Sequence, residues 1–336
     1  MAPARPATNK GSRLGKNRRR PNGQVSGESI VVEAAWLYYH EGLNQTEIAS
    51  RLGVSRATVV NYLQDAKERG FIRISLAPSA FTTHSIAEAL RQKFSLKAAF
   101  VVPDGTGSAE DRFFRVARGA AEWLPDLLIP GDRLGVAWGR TVFEVAEAMA
   151  QVRTQDVSVS QLVGSMATPY GFTAEICSAH MASRLGAACI NLYAPAILSN
   201  PELAARLRAE PIIAAQLDAL SQCNKAIFAA GSCTHESHIV GCGIASHADL
   251  DWYVSHGATG VLCGRFIDGQ GRSVPGALDE RMIGIELDKL CGLDMGMLVS
   301  DGPDKVVPIL SAIAGGYVTH LVTSSNTARA LLEADG

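Results

Sequence analysis

Residues 44–71 read NQTEIASRLGVSRATVVNYLQDAKERGF, and this stretch decides the architecture of the first part of the chain. Asn44 followed by Glu47 has the spacing of a capping box, in which two side chains satisfy each other's backbone N–H groups, so a helix is expected from Gln45. That helix carries Ile48, Ala49 and Leu52 on one face, and Gly53, lacking Cβ, suits the left-handed turn that ends it. Val54 is a short apolar plug. Ser55 is a second N-cap, and the helix it starts has Val59, Leu63 and Ala66 inward and Arg56, Thr58 and Asn61 outward. Two short helices joined by a glycine turn, the second with polar tips at its start, have the geometry that fits a helix into the major groove of DNA. The competing interpretation is a helical hairpin inside an enzyme; the turn, both caps and the polar face argue jointly against it.

The flanking residues extend this unit. Ser29–His40 reads as an apolar helix whose Val32, Ala35, Trp36 and Tyr39 can close over the pair, and Phe71–Leu76 alternates after Gly70 as a short strand, a minimal wing or an exit. The expected DNA-contacting residues are Ser55, Arg56, Ala57, Thr58, Val60 and Asn61. Ahead of them, residues 1–27 hold seven Lys or Arg and no acidic residue, with Arg18, Arg19 and Arg20 in a row; the remaining chain has 24 basic against 33 acidic residues. A basic Pro/Gly/Asn-rich arm on an acidic body is expected to be disordered and drawn to phosphates, although a solubilising tail or a misplaced start would look the same. The expected organisation is a basic arm at 1–27, a helix-turn-helix head at 28–76, a linker at 77–84 and an effector-binding α/β domain at 85–336.

The 336 residues suffice for a small head and one large domain, and 47% hydrophobic content describes a globular protein. No apolar run approaches the ~18 residues of a membrane span, and no signal-peptide core follows the basic start. Seven scattered cysteines, with no C-x-x-C pair, point to a reducing cytoplasm rather than a disulfide framework.

Beyond Ala77-Pro78-Ser79 the pattern changes. A helix at Ser85–Lys93 precedes short apolar runs that alternate with amphipathic helices: 98–102, 133–138, 157–163, 187–192, 225–229, 260–263, 306–309 and 319–322. This alternation predicts a doubly wound, mostly parallel sheet covered on both faces, whose ligands bind beyond the carboxyl ends of the strands. The most informative such loop is Leu134–Thr141, where Gly139 allows close backbone approach and Arg140 and Thr141 start a helix. Free N–H groups at that start, with the Arg and Thr side chains, form a natural anion site.

The stretch WLYYHEGLNQTEIASRLGVSRATVVNYLQDAKERGFIRISL (36–76) resembles the head of the SorC family of bacterial transcriptional regulators, and the Gly139-Arg140-Thr141 turn resembles the sugar-domain motif of that family. Gln161-Leu162-Val163-Gly164, Leu192–Pro195 and Gly315–Ala328 resemble further sections of it. Gly264–Asp268, with Arg265 and Asp268, resembles the glycine-rich loop lining the family's effector pocket, and Lys305 lies where the family has a phosphate-reaching lysine. The resemblance implies a sugar-isomerase-like effector domain with Gly139, Arg140, Thr141, Gln161, Gly164, Arg265, Asp268 and Lys305 about the ligand, and a dimer or tetramer. Departures are present: Val261 stands where many relatives carry Asp, Thr323-Ser324-Ser325 replaces Thr-Asp-Glu, and Val60-Asn61 replaces Ser-Arg, which shifts the expected base preference from guanine toward adenine.

The expected function is therefore a cytoplasmic regulator of a carbohydrate or polyol catabolic operon, with operator DNA and a sugar, polyol or sugar phosphate as partners, and with no membrane, cofactor or catalysis. Two rival classes remain. A sugar-phosphate isomerase or deaminase would use Asp268 or Glu236 as base and Lys305 as a stabiliser or Schiff-base amine; a protein-binding body would leave operator affinity blind to small molecules. The run Cys233–Cys242 places two thiols and two imidazoles within ten residues, as a zinc site could, but without the spacing of a common zinc module; pocket lining by His235 or His238 is the expectation.

Overall fold

The structure, a computed structural model, describes residues 27–334 apart from 73, 75–76, 83 and 167–170. The expected arm, including Arg18, Arg19 and Arg20, lies outside the described residues. The chain divides into two compact units, one running to Ser75 and one from Leu76.

Among the described residues of the first unit are three helices: α1 (Gly27–Tyr39), α2 (Gln45–Leu52) and α3 (Arg56–Glu68). The capping box is present in full. The Asn44 side chain accepts from the N–H groups of Thr46 and Glu47 at 3.0 and 3.1 Å, and the Glu47 carboxylate accepts the Asn44 N–H at 2.8 Å. Gly53 adopts φ +69°, and a Cβ there would touch nothing, so glycine is required by backbone conformation rather than by space. Ser55 caps α3 by accepting the Thr58 N–H at 3.1 Å. Val31, Ala34 and Leu37 of α1 pack with Ile48, Ala49, Val59, Leu63 and Ala66.

Two expectations for this unit fail. Of the four residues expected to close over the pair, Ala35 is buried as expected, but Val32, Trp36 and Tyr39 are exposed, because the packing stripe of α1 runs through Val31, Ala34, Ala35 and Leu37, and Trp36 stacks on His40 instead. The residues after Gly70 make no strand where they are described, at 71, 72 and 74. The N–H groups of Phe71 and Ile72 both return to the Ala66 carbonyl, at 2.9 and 3.3 Å, so the backbone closes off α3 rather than offering a ladder.

The second unit contains β1 (Ala98–Val102), β2 (Arg133–Val136), β3 (Ser158–Gln161), β4 (Ala188–Ile190), β5 (Lys225–Phe228), β6 (Ala258–Leu262), β7 (Arg265–Asp268), β8 (Met295–Val299) and β9 (His320–Ser324). Seven strands form one parallel sheet in the order β1-β9-β8-β5-β2-β3-β4. Successive strand residues alternate between two apolar layers: Ala99, Val101, Phe228, Leu298 and Leu321 face one core, Phe100, Val102, Ile227, Val299 and Val322 the other. That is the period of a sheet covered by helices on both faces. From β2 the chain winds outward through β3 to β4, then returns to place β5 on the other side of β2 and winds away through β8 and β9. Winding therefore reverses between β2 and β5, and a crevice is expected above their carboxyl ends.

Three assignments within this unit need correction. The run near 260–263 does lie in a strand, but β6 pairs antiparallel with β7 outside the main sheet. The run at 306–309 is the start of the helix Val306–Ala314, with Pro308, Ile309 and Ala312 buried. A buried helix and a buried strand share the same unbroken apolar signature. The strand that was not separated is β8, beside β5 in the sheet. Residues 77–84, expected as a linker, include a short helix Ser79–Thr82 whose Phe81 stacks on Phe100 of β1 at 4.8 Å. Among the described residues no helix is long and apolar enough to cross a membrane.

Candidate functional site

On the head, Ser55, Arg56, Ala57, Val60 and Asn61 are exposed at the first turns of α3, with Thr58 half-buried behind them. Arg56 is steadied by the Gln45 side-chain oxygen at 3.2 Å, and the Ser55 and Thr58 hydroxyls lie 2.8 Å apart. Ser55 thus accepts the cap bond through its oxygen, and of the two paired hydroxyls one keeps a proton to donate. Arg56 and Asn61 keep polar ends in solvent, and the exposed Val60 sets an apolar surface between them.

In the second unit a cavity of about 420 Å³ opens at the carboxyl ends of β2 and β5, at the reversal of winding. Its size suits a small molecule. The loop after β2 brings Trp138, Gly139, Arg140 and Thr141; the loop after β5 brings Ala229–Ser232. Asp304 and Lys305 arrive from beyond β8, and Val261, Cys263 and Gly264 from the hairpin β6–β7. Thr234, Glu236, Ser237, His238 and Ile239 complete one wall, with Phe113 from the helix Ala109–Trp123.

Backbone shape makes this convergence possible. Gly139 has φ +121° and ψ 167°, a region essentially closed to residues with Cβ, and it starts the helix Arg140–Ala148 with no side-chain cap. The first-turn N–H groups of that helix are thereby left for whatever enters. Gly302, after β8, adopts nearly the same conformation (φ +123°, ψ 157°) and turns the chain into Pro303–Lys305. The hairpin turn is made by Cys263 (φ +49°) and Gly264 (φ +84°), and a non-glycine residue in the left-handed region is a small store of strain at the cavity wall.

Arg140 is bonded to Glu110 and lies over the Phe113 ring, 4.5 Å from its centroid. Lys305 Nζ donates to Ser232 Oγ at 3.2 Å and sits 2.9 Å from Asp304. Burial, then Lys305 and Arg140, hold the His238 imidazole below its ordinary value, so both cations act on one point of the wall. His238 stacks on Phe172 at 5.3 Å. Burial pushes the Cys233 thiol up to about 11, against Lys305, and the Cys263 thiol up to about 12, against Arg265.

Of the eight residues expected around the effector, the structure brings Gly139, Arg140, Thr141 and Lys305 to this cavity and places the other four elsewhere. Gln161 is fully buried, donating to the Val163 carbonyl at 2.7 Å and accepting the Leu192 N–H at 3.2 Å. Gly164 is packed so closely that a Cβ would lie 2.6 Å from the Pro195 carbonyl oxygen. Arg265 is buried among the Ile285 carbonyl, Asp279 and Glu286, at 2.9, 3.1 and 2.6 Å. Asp268 accepts from the backbone of Gln270 and Arg272, both at 2.9 Å, and so holds the turn after β7. The glycine-rich loop does reach the cavity, but through Cys263 and Gly264 ahead of those two side chains. His235 is outside as well, paired with Asp251 at 2.7 Å. Among the described residues no group of three or more His, Cys, Asp or Glu is placed to hold a metal ion. Phe113, Ser232 and Asp304 were not anticipated, and no local motif marks them.

The Sugar-bind family model, which describes a sugar-binding domain, matches residues 78–333, and a MarR family model matches residues 34–79. The chain is 36% identical to the transcriptional regulator YjhU of Escherichia coli over 321 residues, covering 94% of this chain and 98% of the relative. It is 30% identical to the deoxyribonucleoside regulator of Bacillus subtilis, covering 91% and 97%. The full-length sorbitol operon regulator SorC of Klebsiella pneumoniae superposes with a TM-score of 0.76 at 26% identity, covering 92% of this chain and 99% of that one.

Proposed function

The chain belongs to the SorC family of sugar-binding transcriptional regulators, and we propose that it controls a carbohydrate or polyol catabolic operon through a phosphorylated sugar or polyol held at the β2–β5 crevice. One observation carries the effector assignment: Gly139–Thr141 at an uncapped helix start and Lys305 from beyond β8 line one cavity of suitable size. A phosphate fits the N–H groups and the two charges, while Thr234, Ser237, Glu236 and His238 offer donors and acceptors for hydroxyls. An effector of the sugar or polyol class is supported by the relatives, since one is by name a sorbitol operon regulator and another a deoxyribonucleoside regulator.

Operator reading falls to α3. Arg56 and Asn61 are suited to guanine and adenine edges, Val60 to a thymine methyl, and Ser55 and Thr58 to phosphates. One head touches few base pairs and operators are commonly two-fold, so the working form is a dimer or tetramer in the cytoplasm. The cavity binds its ligand without turning it over, a reading supported by Asp268, one candidate base of an enzyme, being held in the turn after β7 and not in the cavity lining.

The test is operator binding across a panel of sugars, polyols and their phosphates. Arg140→Ala and Lys305→Ala should abolish the response to ligand while leaving operator binding without ligand intact, and the ligand should be recovered unchanged after long incubation. A normal response of both variants would remove the phosphate from the proposal, and product formed at an enzymatic rate would remove the regulator reading of the cavity.

A further inference from the structure

We propose that Glu110 and Asp304 are built-in counter-ions of this cavity and set which anion it accepts, an inference that rests on the effector site proposed above. Its two lining cations each already hold a carboxylate of this chain: Arg140 is bonded to Glu110, and Lys305 lies 2.9 Å from Asp304. Negative charge does not stop there. Glu236 lines the cavity. Glu144, one turn along the helix from Arg140, has its carboxyl held above the ordinary range by burial, with Glu147 and Glu110 adding and Arg140 opposing. With Arg140 and Lys305 neutralised in this way, the pocket has no excess positive charge to draw an anion in. An entering anion must take the donors from Glu110 and Asp304.

The geometry makes that exchange easy. Both pairs are partly exposed, with 38% and 53% of the Arg140 and Glu110 side chains and 26% and 52% of the Lys305 and Asp304 side chains accessible, and ion pairs in such settings contribute little. A phosphate, offering several oxygens to a guanidinium and to backbone N–H groups together, is the stronger partner. Arg140 also keeps its position through the exchange, because the Phe113 ring beneath it needs no counter-charge. The released Glu110 stays in the first turn of the helix Ala109–Trp123, where a carboxylate is favoured by the helix dipole. Two cations released from two carboxylates match a phosphomonoester dianion better than a single carboxylate. The cavity therefore selects by charge number as well as by shape, and it rejects monoanions by keeping its own.

Isothermal titration of the full-length chain with inorganic phosphate at pH 7.5 tests this, comparing wild type with Glu110→Gln, Asp304→Asn and Arg140→Ala. Neutralising either carboxylate should tighten phosphate binding about twofold to fivefold, the range set by a partly exposed ion pair, and Arg140→Ala should weaken it. Tightening is the discriminating direction, since loss of a merely structural contact would lower affinity. A carboxylate whose neutralisation leaves affinity unchanged or lowers it is not a counter-ion, and the inference falls for that residue. Phosphate binding as tight in Arg140→Ala as in wild type would instead overturn the anion site itself, and no binding to any of the four proteins would overturn both.

Discussion

The proposed reading surface of the head lies within residues 55–61, set by two caps and a glycine turn only a few positions away, whereas the cavity of the larger unit draws on residues 113, 138–141, 229–232, 234, 236–239, 261, 263–264 and 304–305. The head depends on local hydrogen bonds and one small core. The cavity depends on a sheet whose winding reverses, so that loops remote in sequence meet above β2 and β5. Damage should therefore spread differently: locally and by small steps in the head, and through loss of convergence in the larger unit.

The largest expected effect breaks the head alone. Leu63→Ala removes a side chain from a core of nine buried residues among those described, and should cost ~2–5 kcal/mol. Operator binding should collapse while ligand still stabilises the larger unit, as read by gel shift and by hydrogen exchange. Equal loss of ligand response would mean that the units do not divide the work in this way.

Next comes a pH effect confined to the larger unit. Burial, then Lys97 and Lys225, hold His320 at about 4 against an ordinary 6.5. Between those values the unfolded chain takes up a proton that the folded chain refuses, so stability falls as pH drops through that window, by up to ~1.4 kcal/mol per unit. Urea midpoints between pH 7 and pH 4 should show this slope, and His320→Gln should flatten it. An unchanged slope in the variant would assign the acid sensitivity elsewhere.

Arg56→Ala and Asn61→Ala should each cost ~1–3 kcal/mol of operator affinity and relax preference at one position per half-site. Binding-site selection with each variant reads both effects, and unchanged profiles would mean that α3 meets DNA with another face. The smallest change expected is that of Asn44→Ala, which removes the acceptor for two N–H groups and should lower the stability of the head by ~1 kcal/mol. Thermal unfolding should register it in the head and leave ligand affinity as it was.

The same contrast explains what could be read before the fold was seen. Asn44, Glu47, Gly53 and Ser55 announce their helices because capping is decided within four residues. Gly139-Arg140-Thr141 was legible for a similar reason, as a turn and a helix start side by side. Gln161 and Arg265 are polar residues in promising motifs, yet their partners, Leu192, Asp279, Ile285 and Glu286, are supplied by other segments, and those partners make them structural. The apolar run at 306 carries no sign of helix over strand in its own residues; as a helix it buries Pro308, Ile309 and Ala312 and leaves Val307 exposed. Glu110 and Phe113 were invisible for the opposite reason: nothing near them in sequence says that Arg140 will lie across them.

Hydrogen exchange on the full-length chain, with and without a saturating phosphate ester drawn from the ligand panel, tests the central claim most directly. The ligand should protect peptides spanning 138–145, 229–239, 261–265 and 302–307 together, in wild type and not in Arg140→Ala, while α3 exchanges as before in the absence of DNA. Protection confined to one of these segments, or found in α3 instead, would contradict a single effector cavity assembled above β2 and β5.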